Sequence, residues 1–429
     1  MKLKFFLTPM ACLSMLTANT AVLKIDTLVT LSLQHSPDID TRRLDFKGAQ
    51  ERTKFAKGYY LPRIDVDAGV GRQYADFQGG GSNNSDVLVG SLGASQLLYD
   101  FGKTSGNIGN AFQTSLAFEA QLQQSISDKI LAVKQLYYTI LKSKSIIEVQ
   151  VKNVRLQKQQ LNRAQKYLKS GIKTIIDVSD AEVQVAQAEL DLKNARYTLE
   201  LNRAALEEEI GYVPYNGNYR VFSKSLDKKN LSKQLPRIYT PLRDLEKYAY
   251  RHRYLLAASE YSTRGAEENV HASEGDYYPT LSLQGSVSKQ KVDSSVGIFS
   301  PEEQGQVTVN MSWNLFSGHQ TDANVQEAKI AVLKAASDAQ SVTLNIKKEV
   351  IESHISVRRG LDNVILSEKI SGASLKKFTQ AEKRYANELS DYVELQDAQQ
   401  GYIQSLSDLV NAYYDYFIAM AQLDHAIGK

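Results

Sequence analysis

The sequence contains one long unit twice, and this internal duplication constrains the fold more than any other feature. Four pairs of landmark residues share a spacing of 217 residues: Pro62 and Pro279, Leu98 and Leu315, Asp180 and Asp397, and Gly211 and Gly428. Because this spacing is far longer than the repeats of solenoid proteins, each half is expected to contain several helices or strands.

Each half contains two stretches in which apolar and polar residues alternate, which is the period of a β-strand. In the first stretch, for example, Ile64 and Val66 flank Asp65. The stretches are about ten residues long, the length of a tilted transmembrane strand. We therefore predict two β-hairpins, over residues 62–100 and 279–317, each with a polar loop at its tip.

Aromatic residues cluster at the ends of these predicted strands. Rings at this level are typical of a girdle at the membrane–water interface. A small soluble sheet inside an α+β domain can also end in tyrosines, so the pattern supports membrane hairpins without excluding that alternative. The residues concerned are Tyr59, Tyr60, Tyr99, Tyr277, Tyr278, Trp313 and Phe316.

Long coiled-coil helices are predicted after each β-hairpin, because apolar residues recur there at alternating spacings of three and four. In the first half this seam passes through Val133 and Ile140 and continues to Leu168. The chain then turns and a second seam, rich in alanine, returns. We predict long helical hairpins over residues 103–211 and 319–428.

These elements define the predicted domain organisation. The first repeat covers residues 22–211 and the second covers residues 242–429, and each begins with a shorter helix ahead of its β-hairpin. Residues 212–241 lack hydrophobic periodicity and are rich in Asn, Lys, Ser and Tyr. This segment is interpreted as a connector between the repeats.

Residues 1–21 are predicted to be a secretory signal peptide rather than part of the fold. A basic start is followed by an apolar run to Leu16, and small residues precede a cleavage site near Ala18 to Ala21. A lipoprotein signal with Cys12 as the acylated residue is an alternative, although the apolar run before Cys12 is short. Both interpretations predict an exported protein.

Composition argues against several function classes. A net charge of +3 over 429 residues does not indicate a nucleic-acid partner. The six histidines are scattered and there is one cysteine, so no metal-ligand spacing and no thiolate metal site is recognisable. No combination of serine or cysteine with histidine is recognisable as a catalytic arrangement. We therefore expect no enzymatic activity and no cofactor.

The predicted strands raise a physical problem that points to function. Four strands are too few to close a transmembrane barrel, and each unpaired backbone group in lipid costs several kcal/mol. The missing partners must come from other copies of the chain. An exported protein of this kind, with membrane hairpins and long coiled coils, is therefore expected to form a conduit.

At this point the chain resembles the TolC-like family of outer-membrane efflux and secretion channels. The likeness covers nearly all of the mature chain and rests on the duplicated motifs, among them Leu98-Tyr99-Asp100-Phe101-Gly102 and Leu315-Phe316-Ser317-Gly318. It implies an α+β membrane protein that forms a homotrimer. Each protomer would supply four strands to a twelve-stranded β-barrel in the outer-membrane lipid, continued by an α-helical coiled-coil barrel.

The resemblance also implies a cellular role. The protein would lie in the outer membrane of a Gram-negative bacterium and extend into the periplasm. Its tip would dock a periplasmic adaptor and an inner-membrane transporter, either ABC-type or proton-driven. The trimer would then be the exit duct of a tripartite efflux pump or of a type I protein secretion system. A periplasmic coiled-coil adaptor without a channel is the alternative from another class.

The resemblance places functional residues at the turns of the helical hairpins. Glu394 and Asp397 correspond to the acidic constriction at the periplasmic entrance of the channel. Asp177 and Asp180 are their counterparts in the first repeat. Acidic residues are also favoured at any helix N-terminus, so a purely structural role for the first-repeat pair is equally compatible with the sequence.

In the family, a tyrosine and an arginine of the second-repeat hairpin hold the tip closed by reaching an aspartate of the first repeat. Tyr385 and Asp177 match the tyrosine and the aspartate. Ser390 occupies the arginine position, and Arg384 is a candidate substitute. The turn residues that the resemblance assigns to adaptor docking are Gly171, Thr174, Glu388 and Ser390.

Overall fold

The computed structural model describes residues 21–77, 81–172, 174–222, 230–293 and 303–429. The predicted signal peptide and its alternative acylation site at Cys12 lie outside the described residues, apart from Ala21. Within the described part of the chain, the helices include none with an apolar stretch long enough to cross a membrane.

In the part of the chain that the structure describes, eight α-helices and six strands follow one another in a similar order in the two halves. The strands are β1 (Ala21–Leu23), β2 (Arg63–Phe77), β3 (Gly81–Tyr99), β4 (Tyr219–Val221), β5 (Thr280–Asp293) and β6 (Glu303–Ser312). The helices are α1 (Ile25–His35), α2 (Pro37–Gly58), α3 (Lys103–Lys169), α4 (Ile175–Ile210), α5 (Leu242–His252), α6 (Tyr254–Glu274), α7 (Gln320–Ala386) and α8 (Tyr392–Ala426).

The two β-hairpins form one antiparallel sheet with the strand order β2-β3-β5-β6. The register places Leu92 opposite both Val66 and Val287, so residues of like polarity from the two halves share a face. The strands differ in extent from the sequence prediction. Pairing in the first hairpin extends to Phe77 and Gly81, whereas β6 ends at Ser312, before Trp313 and Phe316.

By its internal contacts the chain divides into two compact units, each of which contains parts of both sequence halves. Among the described residues, the helical unit comprises the chain up to Ile39, Ile126–Tyr248 and Glu349–Lys429, and the sheet unit comprises Asp40–Ser125 and Ala249–Lys348. The repeat boundaries at residues 211 and 242 stay a sequence prediction.

In the sheet unit, helices approach closely where their side chains are smallest. Gly106 of α3 lies against α6, where a Cβ atom at residue 106 would come within 2.5 Å of the Ala272 backbone nitrogen. Nearby, the Asn110 side chain donates to the Gly265 carbonyl at 2.7 Å, and the Thr53 hydroxyl of α2 donates to the Ala111 carbonyl at 3.0 Å. The packing of these helices therefore depends both on small side chains and on hydrogen bonds between the helices.

The helical unit has a continuous apolar core, built largely from the heptad positions that the sequence indicated. Its buried members include Val133, Ile140, Val178, Leu206 and Leu395. A short parallel pairing of β1 with β4 is added to this core. Sequence analysis missed that pairing, because three-residue strands have too few residues for a recognisable period.

Candidate functional site

The first helical hairpin turns at a glycine in the left-handed region. Gly171 has φ of +74°. Its amide donates to the Leu168 carbonyl at 3.0 Å, and the Ile172 amide donates to the Tyr167 carbonyl at 2.9 Å. These two bonds satisfy carbonyls that the end of α3 leaves without helical partners.

The second helical hairpin makes the same turn with a glutamate. Glu388 has φ of +63°, and its amide donates to the Tyr385 carbonyl at 3.2 Å. The Leu389 amide donates to the Arg384 carbonyl at 2.8 Å. A left-handed conformation costs a residue with a Cβ about 1–2 kcal/mol. The duplicated turn is therefore kept in the second repeat in a more strained form.

Acidic residues cap the return helices of both hairpins. The Thr174 amide and hydroxyl both donate to Asp177 Oδ2 at 3.0 Å, which closes the start of α4. In the second repeat, Asp391 accepts the Glu394 amide at 2.8 Å at the start of α8. Asp177 therefore has the structural capping role that the sequence left open.

Three tyrosines from three helices meet next to these turns. Tyr385 of α7 is 2% exposed, and its ring centroid lies 6.1 Å from those of Tyr167 on α3 and Tyr392 on α8. Burial raises the pKa of Tyr385, and the carboxylate of Asp177 raises it further. The resemblance pairs these same two residues, and their gate role stays a prediction.

Tyr392 was not among the predicted site residues. Burial raises its pKa to about 12, with smaller contributions from Tyr385, Asp180 and Asp177. Its hydroxyl is buried and makes no hydrogen bond with the described residues. A buried hydroxyl without a hydrogen bond makes the packing at the turns less favourable than the packing of an apolar core.

The acidic pair of the second repeat lies at the surface of the protomer. Glu394 Oε1 lies 3.4 Å from Arg384 Nε, and Asp397 Oδ2 lies 2.7 Å from Lys377 Nζ. All four side chains are exposed. Arg384 therefore pairs with Glu394 of its own hairpin, rather than replacing the family arginine as a partner of Asp177.

A different arginine lies beside Tyr385. Arg163 of α3 lowers the pKa of Tyr385, opposing the effects of burial and of Asp177, and its Nη2 lies 3.7 Å from Glu382 Oε1. Sequence analysis missed Arg163 because it lies in the first repeat, well before the turn. Ser390, at the family's arginine position, is half-buried and its hydroxyl lacks a hydrogen-bond partner among the described residues.

The predicted docking residues differ in accessibility. Gly171, Thr174 and Glu388 are exposed at the two turns, whereas Ser390 is half-buried. No cluster of three or more histidine, cysteine, aspartate or glutamate side chains suited to a metal ion occurs within the residues that the structure describes.

The four-stranded sheet has one mainly apolar face and one mainly polar face. The first face also carries Gln96, Lys289 and Lys291, and Val89 and Leu97 lie on the second. The apolar side chains of the first face that are at least 37% exposed in the protomer are Ile64, Val66, Val70, Leu88, Leu92, Leu283, Val287, Val307, Val309 and Met311. The polar face includes Asp65, Asp67, Ser91, Ser95, Gln284, Ser286, Ser288, Gln306 and Thr308.

Exposed aromatic side chains lie at the end of this sheet where the chain enters α3 and α7. Tyr277 links two of these segments, because its carbonyl accepts Trp313 Nε1 at 3.1 Å and its hydroxyl donates to Asp322 at 2.8 Å. Tyr278 stacks on Phe101 with ring centroids 5.0 Å apart. The other predicted aromatics, Tyr59, Tyr60, Tyr99 and Phe316, are exposed as well.

Comparison with known proteins identifies a matching protein family and several sequence relatives. Residues 28–212 and 248–429 match the family model of the outer membrane efflux proteins. The outer membrane protein TolC of Vibrio cholerae is 24% identical over 395 residues, which cover 89% of this chain and 85% of the relative. The alkaline protease secretion protein AprF of Pseudomonas aeruginosa is 22% identical over 405 residues, or 93% and 83% of the two chains.

Solved structures show the same architecture. A crystal structure of CusC, described in connection with transmembrane channel formation, has a TM-score of 0.83 at 16% identity and covers 94% of this chain and 92% of its own. The outer-membrane channel OprN has a TM-score of 0.81 at 17% identity, with coverages of 99% and 98%. The chain therefore shares the fold of these channels.

Proposed function

Because the chain belongs to the outer membrane efflux protein family, we propose that it forms the exit duct of a tripartite efflux pump or a type I secretion system. The family resemblance inferred from the duplicated motifs is confirmed by this match over both halves. Such a duct lies in the outer membrane of a Gram-negative bacterium and extends into the periplasm. The family is one of efflux proteins rather than enzymes.

The two-faced sheet is the observation that supports this function most directly. An apolar face with side chains up to 82% exposed is unfavourable in water but suits contact with lipid hydrocarbon. The opposite face carries aspartate, serine and glutamine, which suit an aqueous lumen. A periplasmic adaptor has no use for such a surface, so the channel is the better-supported function.

The outer strands of the sheet support a homotrimer. Within the described residues, β2 and β6 each pair along one edge only. Backbone groups on a free edge cannot remain unpaired in lipid. Three protomers, the number that the family resemblance implies, would pair β6 of one copy with β2 of the next and close a barrel of twelve strands.

The helical hairpin turns supply the periplasmic gate. Tyr385, Asp177 and Arg163 hold the hairpins together, and the adaptor acts on the exposed turns at Gly171, Thr174 and Glu388. The inner-membrane transporter, ABC-type or proton-driven, provides cargo and energy. Asp180, Glu394 and Asp397 add negative charge at the entrance, where threefold symmetry would turn each carboxylate into a ring.

Relatives differ in what their names say they transport. AprF is named for the secretion of alkaline protease, and a CusC relative from Escherichia coli is named as a cation efflux protein. Both protein and small-ion cargo therefore occur among similar chains. For this chain we propose the activity that these relatives have in common, which is the passage of cargo through an outer-membrane duct.

Reconstitution into planar lipid bilayers tests the proposal. The purified protein is expected to be trimeric and to give discrete, cation-selective conductance steps. Asp397→Asn should lower the cation selectivity, whereas Lys377→Met should raise it, because Lys377 partly neutralises Asp397 at 2.7 Å. Glu200→Gln, near the far end of α4, is the matched control.

A monomeric protein without conductance would contradict the channel. Conductance with selectivity unchanged in Asp397→Asn would keep the channel but remove Asp397 from its lumen.

A further inference from the structure

The helical unit contains a cavity that is not lined by residues of the hairpin turns. It has a volume of about 670 Å³ and is formed where β1 and β4 lie beside α3 and α4. Pockets of this size accommodate small organic molecules. Its apolar wall includes Ile140, Leu199 and Val221.

Three cationic side chains line the same cavity: Lys144, Arg203 and Arg220. They come from α3, α4 and β4, so the tertiary structure brings them together from distant parts of the chain. None of the three forms an ion pair with a carboxylate in the described part of the chain. Burial lowers the pKa of Lys144, and the charges of Arg203 and Arg220 lower it further. The lining of the cavity contains no carboxylate and therefore carries a net positive charge.

Two of these cations are held in place by backbone carbonyls. Lys144 Nζ donates to the Val221 carbonyl at 2.9 Å, and Arg203 Nη2 donates to the Gly217 carbonyl at 2.8 Å. The Arg203 guanidinium also lies 4.7 Å from the centroid of the Tyr219 ring. Each cation uses part of its hydrogen-bonding capacity in this way, and further N–H donors stay available for a ligand.

We propose that this cavity binds a small organic phosphate, with the phosphate group held by Lys144, Arg203 and Arg220 and the apolar part of the molecule against Ile140 and Leu199. Guanidinium and ammonium groups together are well suited to phosphate oxygens. None of the lining residues is among the gate residues.

Binding of 1-naphthyl phosphate to the full-length protein in lipid nanodiscs, measured by calorimetry with empty nanodiscs subtracted, tests the proposal. Saturable binding of one molecule per chain is expected. Inorganic phosphate lacks the apolar part and 1-naphthol lacks the charge, so each should bind at least about tenfold more weakly. Equal affinity for 1-naphthol, or binding that does not saturate, would overturn the proposal.

Variants locate the site. Lys144→Met and Arg220→Ala should each weaken binding of 1-naphthyl phosphate about tenfold, the effect of losing one charge-assisted contact. Arg196→Ala removes an exposed arginine of α4 that does not line the cavity, and it should bind normally. The Arg220 side chain makes no hydrogen bond with the described residues, whereas its backbone pairs β4 with β1. Native affinity in Arg220→Ala would therefore refute the assignment. Conductance of Arg220→Ala should stay normal, which separates this site from the channel.

Discussion

At the scale of single residues, Asp177 combines two roles at the first hairpin turn. Its carboxylate accepts both polar hydrogens of Thr174 at the start of α4, and its charge raises the pKa of the buried Tyr385 phenol. A cap of this kind contributes about 1 kcal/mol to helix stability. Any effect of removing Asp177 on channel opening therefore has to be separated from the loss of the cap.

We expect the double variant Tyr385→Phe, Asp177→Ala to raise single-channel conductance in planar bilayers, because it removes the electrostatic interaction between the Tyr385 phenol and the Asp177 carboxylate. Thr174→Ala is the control, since it loses the hydroxyl part of the cap and keeps Asp177 beside Tyr385. A double variant with native conductance, or a control that opens equally, would exclude this gate assignment.

In the proposed gate, Ser390 at the family's arginine position does not leave Tyr385 without the influence of a cation. The resemblance pointed to Arg384 as the substitute, but Arg384 lies 3.4 Å from Glu394 of its own hairpin. Arg163 from the first repeat is the cation whose charge acts on Tyr385. Sequence position alone could not identify it, because the contact joins residues more than two hundred positions apart.

At the scale of secondary-structure elements, glycine determines how closely helices of the sheet unit pack. A Cβ at residue 106 would lie 2.5 Å from the Ala272 nitrogen and 2.7 Å from the Glu268 carbonyl oxygen. Both are backbone atoms of α6, so they can yield only if the helix moves. The approach of α3 to α6 therefore depends on this one residue having no side chain.

Gly106→Ala is expected to destabilise the protein by about 1–3 kcal/mol, the usual cost of overpacking. Gly48→Ala is the matched control, because a Cβ at residue 48 of α2 would meet no atom within 4 Å. Alanine is favoured over glycine in a helix by about 1 kcal/mol, so the control should be neutral or more stable. Thermal unfolding of the two purified variants measures the difference; equal melting temperatures would contradict the packing argument.

At the scale of the whole molecule, the proposed channel requires further copies of the chain to complete the sheet. Among the described residues, each outer strand pairs along one edge only. The apolar face comes from the register, which aligns Val66, Leu92 and Val287 across three strands. The other face is polar along the same strands, as a water-filled lumen requires.

Val66→Arg should prevent outer-membrane assembly, because a charge on the lipid side of a barrel costs about 2–4 kcal/mol at the membrane midplane. Ser91→Arg places the same side chain on the polar face, opposite Asp67, and should assemble normally. The amount of trimer in purified outer membranes measures both outcomes. Normal assembly of Val66→Arg would show that this face does not contact lipid.

The sequence by itself determined the duplication, the type and order of the long elements, the two faces of each strand and the family. These properties are encoded by local period and by motifs that recur at one spacing, so they can be recognised without coordinates. The resemblance also paired Tyr385 with Asp177, because both lie in recognisable turn motifs, and their role as a gate stays a prediction.

The tertiary structure alone decided which distant residues meet. It placed Ala21–Leu23 beside Tyr219–Val221, brought Arg163 to Tyr385, and gathered Lys144, Arg203 and Arg220 around one cavity. Such contacts depend on the rotation and separation of packed helices, which a hydrophobic period does not specify. A hydrophobic period indicates that a residue faces another secondary-structure element. The packing decides which residue of that element it contacts.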